Sequence, residues 1–392
     1  MDVIASSAFL LLALPTLLGG LYLLLLTLLS ARPRPRQPSR LHLYFDIVVP
    51  AHNEAGGVAR TIASLQAIDW PRERFRILVI ADNCTDATAA IACSAGAHVL
   101  ERHDDHRRGK GHALAFAFDA SRRDAVADAV VVVDADTGVS PNLLEAFATR
   151  LEHGARAVQV HYGVRNPHAS WRTRLITIAK GAFHIVRSRG RERLGLSCGL
   201  RGNGWCVTHG LLQQVPYSAY SLTEDLEYTL ELGLSGVRVH YADEAHADGD
   251  MEAGGVAAAP QRQRWELGRF ALARKYALRL LHAGLRRPSR LCLDLALDLL
   301  VPPLSYLALW AGALLALAAA AAAWQPAWRF WLVWPAISIL AIALYVLRGW
   351  QLSGTGPRGL LDLAAAPVFV AWKLIAMLRP RTAGWVRTQR HP

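Results

Sequence analysis

FDIVVPAHNE at residues 45–54, ILVIADNCTD at 77–86 and AVVVVDAD at 129–136 share one pattern, a short apolar run that ends in polar side chains. Runs this apolar predict strands buried on both faces, as in a parallel sheet covered by helices. Helical patterns separate and follow these runs, at 54–67, 85–95 and 110–121. The alternation predicts an α/β domain.

The polar residues that follow each run are the first candidates for a binding site, because ligands of such sheets lie at the carboxyl ends of the strands. Asn53, Thr85 and Asp86 are explained equally well as helix caps. Helix capping explains Asp134 and Asp136 poorly, because two carboxylates two residues apart after a buried strand repel each other. A divalent cation relieves that repulsion, and Mg²⁺ and Mn²⁺ prefer carboxylate and phosphate oxygens.

A basic loop, RRGKGH at 107–112, lies between the second and third runs. A Gly-Lys-Gly turn before a helix is a weak phosphate-binding signal. Between two acidic strand ends, Lys110 is expected to contact a diphosphate or a lipid phosphate.

The composition favours a membrane protein with anionic partners. Hydrophobic residues make up 53% of the 392 residues, charged residues 19%, and the formal net charge is +12. Such a charge suits lipid headgroups, phosphorylated substrates or nucleic acid. No nucleic acid partner is expected, because the sequence has no zinc-finger or RNA-binding signature. The five cysteines are odd in number and lack metal-type spacing, which indicates reduced thiols.

The amino-terminal segment predicts one membrane span. Residues 8–30 are uncharged and long enough to cross a bilayer. The basic stretch ARPRPRQPSR at 31–40 places the following chain in the cytosol and the N-terminus outside. The expected location is the inner or plasma membrane of a bacterium, with the α/β domain cytoplasmic.

Three apolar stretches lie near the C-terminus, at 292–323, 329–347 and 360–378. The first two predict a transmembrane hairpin around Gln325-Pro326. The third includes Asp362 and is followed by a tail with four arginines, which favours an interfacial or re-entrant helix and a cytosolic tail. We therefore expect three spans, with four as the alternative.

The predicted organisation has five parts. They are a transmembrane helix and basic linker at 1–40, a catalytic domain at 41–265, an interfacial helix at 266–290, the hairpin at 291–348, and the interfacial helix with its tail at 349–392. Within the domain, the mixed basic and apolar segment 168–194 predicts a second interfacial helix, with apolar residues that include Leu175, Ile178 and Ile185 facing lipid and basic residues that include Arg187 and Arg189 meeting headgroups. A solvated basic face packed on the domain is the alternative. Residues 247–260, rich in small side chains, predict a lid.

The order of motifs resembles the family 2 glycosyltransferases with a GT-A fold, a Rossmann-like nucleotide-sugar-binding domain. It is most similar to the membrane-integrated branch of cellulose, hyaluronan and chitin-oligosaccharide synthases. The resemblance spans about 45–270 and rests on VVPAHNE (48–54), ADNCTD (81–86), RRGKGHA (107–113), DADT (134–137), CGLRGNGWC (198–206), TED (223–225) and QRQRW (261–265).

The resemblance implies a role for each matching position. Asp225 is the expected general base, in a motif with Thr223 and Glu224, and Asp136 is the expected ligand of Mg²⁺ or Mn²⁺. The donor-binding residues it implies are Pro50, Asn53, Glu54, Asp82, Lys110, Asp134, Gln261, Arg264 and Trp265. The acceptor-side residues it implies are Gly202, Asn203, Gly204 and Trp265.

The implied activity is inverting transfer of a hexosyl or N-acetylhexosaminyl group from a nucleotide sugar, with a UDP-sugar favoured. The acceptor is expected to be a lipid or a lipid-linked molecule, because membrane segments flank the site motifs. Processive polysaccharide synthesis with export is the alternative, although such relatives generally have more spans. A non-catalytic scaffold is a further alternative, and a transporter is disfavoured. The oligomeric state is left open.

Overall fold

The structure is a computed structural model that describes residues 3–33, 37–251 and 255–377. Side chains are described in the same ranges, except those of 3, 255–264 and 372–377. The α/β domain has one eight-stranded sheet, with the order β3-β2-β1-β4-β7-β6-β8-β5. Its strands are β1 Phe45–Ala51, β2 Phe75–Asp82, β3 His98–Arg102, β4 Ala129–Val132, β5 Thr137–Val139, β6 Ala157–Val164, β7 Trp205–Thr208 and β8 Val239–Gly249.

Helices cover both faces of this sheet and connect it to the apolar segments. They are α1 Val3–Leu28, α2 Val58–Gln66, α3 Thr88–Ser94, α4 Lys110–Asp124, α5 Leu143–Leu151, α6 Trp171–Lys180, α7 Arg187–Arg193, α8 His209–Gln214, α9 Glu224–Leu234, α10 Gly255–Arg286, α11 Arg290–Leu300, α12 Leu304–Trp324, α13 Val333–Ser353, α14 Gly356–Asp362 and α15 Ala366–Met377. Buried apolar side chains form one core on each sheet face, consistent with strands that are apolar throughout.

The predicted parallel pairing holds for β1 to β4, and the rest of the sheet is mixed, with β6 parallel to β8. β1 pairs in parallel with both β2 and β4, and β2 pairs in parallel with β3. β7 then runs antiparallel to β4, with Val132 opposite Trp205. The chain therefore enters β7 from the edge at which β4 ends, and residues 202–204 reach the same edge as Asp134. The three predicted strands, which became β1, β2 and β4, are parallel as expected, and the antiparallel β7 was not among the predicted strands.

Three helices among the described residues are long and apolar enough to cross a membrane: Ile4–Leu28, Leu304–Trp324 and Pro326–Ser353. The last two form a hairpin that turns at Gln325-Pro326, where the sequence predicted it. Arg348 near the end of α13 donates from Nε to Ser30 Oγ at 3.0 Å, and Arg193 donates to the Ala31 carbonyl at 3.2 Å. The ends of α1 and α13 thus lie together on the side of the catalytic domain.

The hairpin begins later than predicted. The expected first arm, 292–323, is interrupted at Pro302-Pro303, and α11 is a separate helix packed on α9 and α10. Proline lacks the N–H that would continue a helix. The last apolar stretch is also divided, into α14, a short turn and α15. Asp362 pairs with Arg174 of α6, and whether this part is interfacial or re-entrant stays a prediction.

Segment 168–194 packs mainly against protein. α6 continues through a π-helical turn, Gly181–Val186, into α7, and these contact α13 and α1. Leu175, Ile178 and Ile185, predicted to face lipid, are buried. Arg187 bonds Asp298 at 2.8 Å and Arg189 bonds Asp243 at 2.6 Å. The expectation that these two arginines meet lipid headgroups was wrong, because carboxylates distant in the sequence neutralise them.

The domain and the membrane helices share a buried ionic cluster. Asp298 of α11 accepts from Arg187 at 2.8 Å and lies 3.1 Å from Arg191, and all three side chains are at most 7% exposed. Burial alone would raise the pKa of Asp298, but Arg191 and Arg187 hold it well below its usual range. The carboxylate is therefore charged in the folded protein.

Replacing Asp298 by asparagine is expected to lower the free energy of unfolding by about 3 kcal/mol, because it leaves two buried arginines without their counter-ion. Reversible denaturant unfolding in detergent measures the change. Asp119→Asn is the matched control, since Asp119 pairs with Arg122 on the surface at 2.7 Å. The control is expected to lose less than about 1 kcal/mol. Equal losses in both variants would contradict a stabilising role for the cluster.

Candidate functional site

The ends of β1, β2 and β4 meet at one edge of the sheet, and the predicted donor-binding residues Asn53, Asp82 and Asp134 lie there. Asn53 and Asn83 follow β1 and β2 with φ of 55° and 49°, a left-handed conformation that asparagine tolerates better than most residues. Asn53 Oδ1 accepts from the Thr85 N–H at 2.7 Å, and the Glu54 N–H donates to Thr88 Oγ1 at 2.8 Å. These bonds tie the turn after β1 to the turn after β2. Pro50 is the penultimate residue of β1.

Asp82 at the end of β2 is only 6% exposed and has a partner that the sequence did not reveal. Its Oδ1 accepts from Arg102 Nη1 at 2.6 Å, and Arg102 also contacts Asp104 at 3.0 Å. Arg102 ends β3, a strand too short and too polar to be predicted. The ion pair with Arg102 fixes the orientation of the Asp82 carboxylate at the end of β2.

Lys110 at the start of α4 connects four of the sequence motifs. Its Nζ lies 2.5 Å from Asp134 Oδ1, 2.5 Å from the Gly202 carbonyl and 3.8 Å from Glu224 Oε1. Burial would lower the pKa of Lys110, but Asp134, Glu224 and Asp225 raise it, so the ammonium is charged. Gly111 beside it must be glycine, because a Cβ would lie 2.3 Å from the Ala219 carbonyl oxygen.

Asp225, in the first turn of α9, adjoins Lys110 and Gly202, and these residues and Asp134 border the space called the cleft below. A Cβ at Gly202, whose φ is +80°, would be 3.3 Å from Asp225 Oδ2 and 4.0 Å from Lys110 Nζ, so the three residues adjoin. Burial raises the pKa of Asp225, although the helix N–H groups and Lys110 lower it in part. Burial also raises the pKa of Glu224 to about 7, with Lys110 opposing and Asp225 adding to the rise. The pair holds a proton more tightly than exposed carboxylates do.

The pH dependence of turnover is expected to reflect this pair. A base with a raised pKa stays protonated to a higher pH, so kcat/KM should fall with decreasing pH already above the range in which an ordinary carboxyl titrates. Glu224→Gln removes the neighbouring negative charge, so the pKa of Asp225 should fall and the acid limb should move to lower pH. A pH–rate series on both proteins measures the shift. An acid limb that stays in place would show that the two carboxyls titrate independently.

Thr223 precedes this pair and is covered by α10. Its side chain is 7% exposed, and its Oγ1 has no hydrogen-bond partner among the residues that the structure describes. A Cβ at Gly268 would lie 2.7 Å from Thr223 Cγ2, so α10 crosses in close contact. Trp265, one turn earlier on α10, is 41% exposed and available to a ligand. The side chains of Gln261 and Arg264 lie outside the described residues.

Asn203 occupies a different place from the one predicted. It is fully buried, and its Oδ1 accepts from the Asp134 N–H at 3.1 Å while its Nδ2 donates to Thr137 Oγ1 at 2.7 Å. Both amide atoms are used, so the side chain positions the turn that bears Asp134 and Asp136 and does not line an acceptor site. Gly204 is also a packing position, since a Cβ there would be 2.7 Å from Ala247 and Val160 side chains. Of the predicted acceptor-side residues 202–204, only Gly202 lies at the cleft.

Asp136 is the remaining candidate metal ligand. Among the described residues, no cluster of three or more His, Cys, Asp or Glu side chains could hold a cation without substrate. Mg²⁺ commonly binds through one or two carboxylates plus substrate phosphates and waters. Asp136 fits that mode, because it follows β4 on the turn that Asn203 holds and Asp134 beside it is engaged by Lys110. Nearby Lys180 has its pKa lowered by burial to about 7, with Asp136 and Asp248 opposing.

The predicted lid is only partly a loop. Residues 247–249 belong to β8, paired with β5 and β6, and α10 begins at Gly255. Residues 252–254 lie outside the described residues. The segment that suggested a loop therefore belongs in part to a strand and in part to a helix.

Comparison with known proteins places this geometry in a family. Residues 42–268 match the model of glycosyltransferase like family 2, so the chain belongs to that family. The fold is also that of the mannosyltransferase PcManGT from Pyrobaculum calidifontis, solved with GDP-Man and Mn²⁺. That structure aligns at 20% identity with a TM-score of 0.51, covering 87% of this chain and 98% of that one. The domain is therefore a GT-A glycosyltransferase domain, and its membership of the cellulose synthase-like branch stays a prediction.

Two sequence relatives have names that denote enzymes that transfer or attach sugars. A beta-monoglucosyldiacylglycerol synthase from Synechocystis is 26% identical over 271 residues, 65% of this chain and 55% of that protein. Glycosyltransferase AglD from Haloferax volcanii is 30% identical over 132 residues, 31% of this chain and 20% of its own length. The chain thus spans at most about half the length of these relatives.

Proposed function

We propose that this protein transfers a sugar from a nucleotide-diphosphate donor to a hydroxyl of a lipid or lipid-linked acceptor, with inversion at the anomeric carbon. The observation that carries the proposal is the position of Lys110 between Asp134 and the Glu224–Asp225 pair. Because Lys110 contacts both, we propose that the leaving diphosphate and the buried carboxylate base lie on opposite sides of one cleft. One displacement across such a cleft inverts the reacting carbon.

In the proposed reaction, Asp225 takes the proton of the acceptor hydroxyl as its oxygen bonds to the anomeric carbon. The bond from that carbon to the diphosphate oxygen breaks, and its electron pair leaves with the nucleotide diphosphate. Lys110 lies where negative charge develops on the leaving group. A divalent cation bound at Asp136 would supply further stabilisation of that charge. Asn53, Glu54 and Asp82 are the proposed contacts of the nucleoside, and Trp265 of the acceptor sugar or lipid end.

The contacts between the α/β domain and the apolar helices support a lipid acceptor. α6 and α7 pack on α13 and α1, and α9, which bears Asp225, packs on α11, whose Asp294 accepts a hydrogen bond from Tyr22 of α1 at 2.9 Å. The name of the Synechocystis relative denotes synthesis of a glycolipid. The basic residues at 31–40 and the contacts of Ser30 and Ala31 with Arg348 and Arg193 support a cytoplasmic position for the domain. Three spanning helices in the described part of the chain favour single transfer over threading of a polymer.

The test is donor turnover by the full chain in lipid nanodiscs. UDP-glucose, UDP-galactose, UDP-N-acetylglucosamine and GDP-mannose are each supplied with Mg²⁺ or Mn²⁺, and nucleotide diphosphate release and lipid labelling are followed. We expect release from one donor, with the label in a lipid and a β-linked product from an α-linked donor. An α-linked product would contradict inversion. No release from any donor by folded protein would favour a non-catalytic scaffold.

A further inference from the structure

Lys180 is the last residue of α6, and its half-buried ammonium group lies near the end of β6. Its Nζ donates to the Gly163 carbonyl at 3.3 Å and lies 3.4 Å from the centre of the Tyr162 ring. Both partners are neutral, and no carboxylate among the described residues pairs with this ammonium directly. The contacts therefore fix the position of the ammonium without neutralising its charge.

The strand register places this ammonium beside the acidic turn that follows β4, residues 134–136. Asp248 of β8 lies opposite Gly163 of β6 on one side and opposite Gly138 of β5 on the other. Asp136 comes two residues before Gly138. A Cβ at Gly163 would collide with Asp248 Oδ1, so this carboxylate lies next to the carbonyl that accepts from Lys180.

Three carboxylates act on the charge of Lys180, in decreasing order of effect Asp136, Asp248 and Asp134. Burial lowers the pKa of Lys180, and these carboxylates oppose that effect. Asp134 is engaged by Lys110 at 2.5 Å, and Asp248 is engaged by His246 at 2.8 Å. The ammonium of Lys180 and the candidate metal ligand Asp136 thus stabilise each other's charge.

A divalent cation at Asp136 would have to bind close to this ammonium. The two positive charges repel each other, and the repulsion is stronger in a partly buried site than in water. A nucleotide diphosphate has the opposite effect, because its negative charges attract the cation and the ammonium together. The diphosphate would therefore offset the repulsion that the cation meets when it binds alone.

From this arrangement we infer that Lys180 is the counter-ion of Asp136 in the free protein, and that it makes binding of the divalent cation depend on the donor diphosphate. The inference rests on the proposed function and adds Lys180 to its donor site. Such a coupling is reciprocal, so the cation increases the affinity for the diphosphate by the same factor. Without donor, the protein is expected to hold little metal.

The test is Lys180→Met, which keeps an unbranched side chain and removes its charge. The full chain is studied in nanodiscs of phosphatidylcholine at a pH below 7, where the ammonium is charged. Mn²⁺ alone is titrated, and the free ion is followed by electron paramagnetic resonance. We expect Lys180→Met to bind Mn²⁺ at least about fivefold more tightly than the parent, because the repulsion is gone.

The second measurement is nucleotide affinity at saturating Mn²⁺, with UDP and GDP titrated in turn by calorimetry. Lys180→Met should bind the nucleotide at least about fivefold more weakly than the parent, because a positive charge near the diphosphate is lost. The two affinities are thus expected to change in opposite directions. A variant that is merely misfolded would bind both ligands more weakly.

Two control variants test whether charge is the cause. Lys180→Arg keeps the charge, and its two affinities should stay close to those of the parent. Lys275→Met removes a lysine that pairs with Glu227 at 2.9 Å on α9, and it should leave both affinities unchanged. Mn²⁺ affinity that is the same or lower in Lys180→Met, or a gain of equal size in Lys180→Arg, would overturn the inference.

The site of the added Mn²⁺ affinity is checked with Asp136→Asn in the Lys180→Met background. The gain should disappear, and a gain that persists would reject Asp136 as the partner of Lys180. Failure of the proposed function is distinguishable from failure of this inference. If neither nucleotide binds the parent, the donor site fails, and the titration with Mn²⁺ alone still decides whether Lys180 is the counter-ion.

Discussion

Asp225→Asn is expected to lower kcat about a thousandfold, within the range that general-base catalysis contributes. Asparagine keeps the size of the side chain but cannot accept the proton of the acceptor hydroxyl. The KM for the donor should change little, because Asp225 lies across the cleft from Asp134 and contacts the acceptor side. Steady-state nucleotide release with lipid acceptor present gives both constants.

Glu227→Gln is the matched control for this substitution. Glu227 is on the same helix, is 7% exposed and pairs with Lys275 at 2.9 Å, away from the cleft. Its kcat should stay within about threefold of the parent, as for a substitution that touches no reacting atom. If Asp225→Asn retained the parent kcat for lipid labelling, another group would have to be the base.

The second large effect is expected at Asp136. Asp136→Asn should lower kcat/KM by about two to three orders of magnitude, since metal stabilisation of leaving-group charge is worth several kcal/mol. The concentration of Mn²⁺ needed for half-maximal rate should rise at the same time, because one of few protein ligands has lost its charge. Rate measured against Mn²⁺ concentration, in parent and variant, separates these effects.

Asp124→Asn controls for loss of an acidic side chain elsewhere. Asp124 is half exposed and pairs with Arg76 at the far end of α4. Its metal dependence should match that of the parent protein. An unchanged Mn²⁺ requirement in Asp136→Asn would mean that Asp136 is not the ligand, and that the turn after β4 acts through Asp134 and Lys110 alone.

Much of the catalytic domain could be predicted because its signals are local. The runs at 45–50, 77–81 and 129–133 became β1, β2 and β4, and the polar residues after them met at one edge. β3 was missed, since His98–Arg102 has only two apolar residues and is too short to decide. The partners that orient the site were missed for another reason. Arg102 on Asp82 and Asn203 on the Asp134 turn are contacts between residues 20 and 69 positions apart.

The sequence alone therefore predicted the family of this protein, its α/β domain and its three apolar helices, because apolar periodicity and motif order depend on neighbouring residues. Only the tertiary structure decided the antiparallel entry of β7, the division of 292–323 into α11 and α12, and the burial of Arg187 and Arg191 against Asp298. A basic residue looks the same in sequence at a lipid surface and in a buried cluster. Its role depends on whether a carboxylate from a distant helix meets it, as Asp298 meets Arg187 and Arg191.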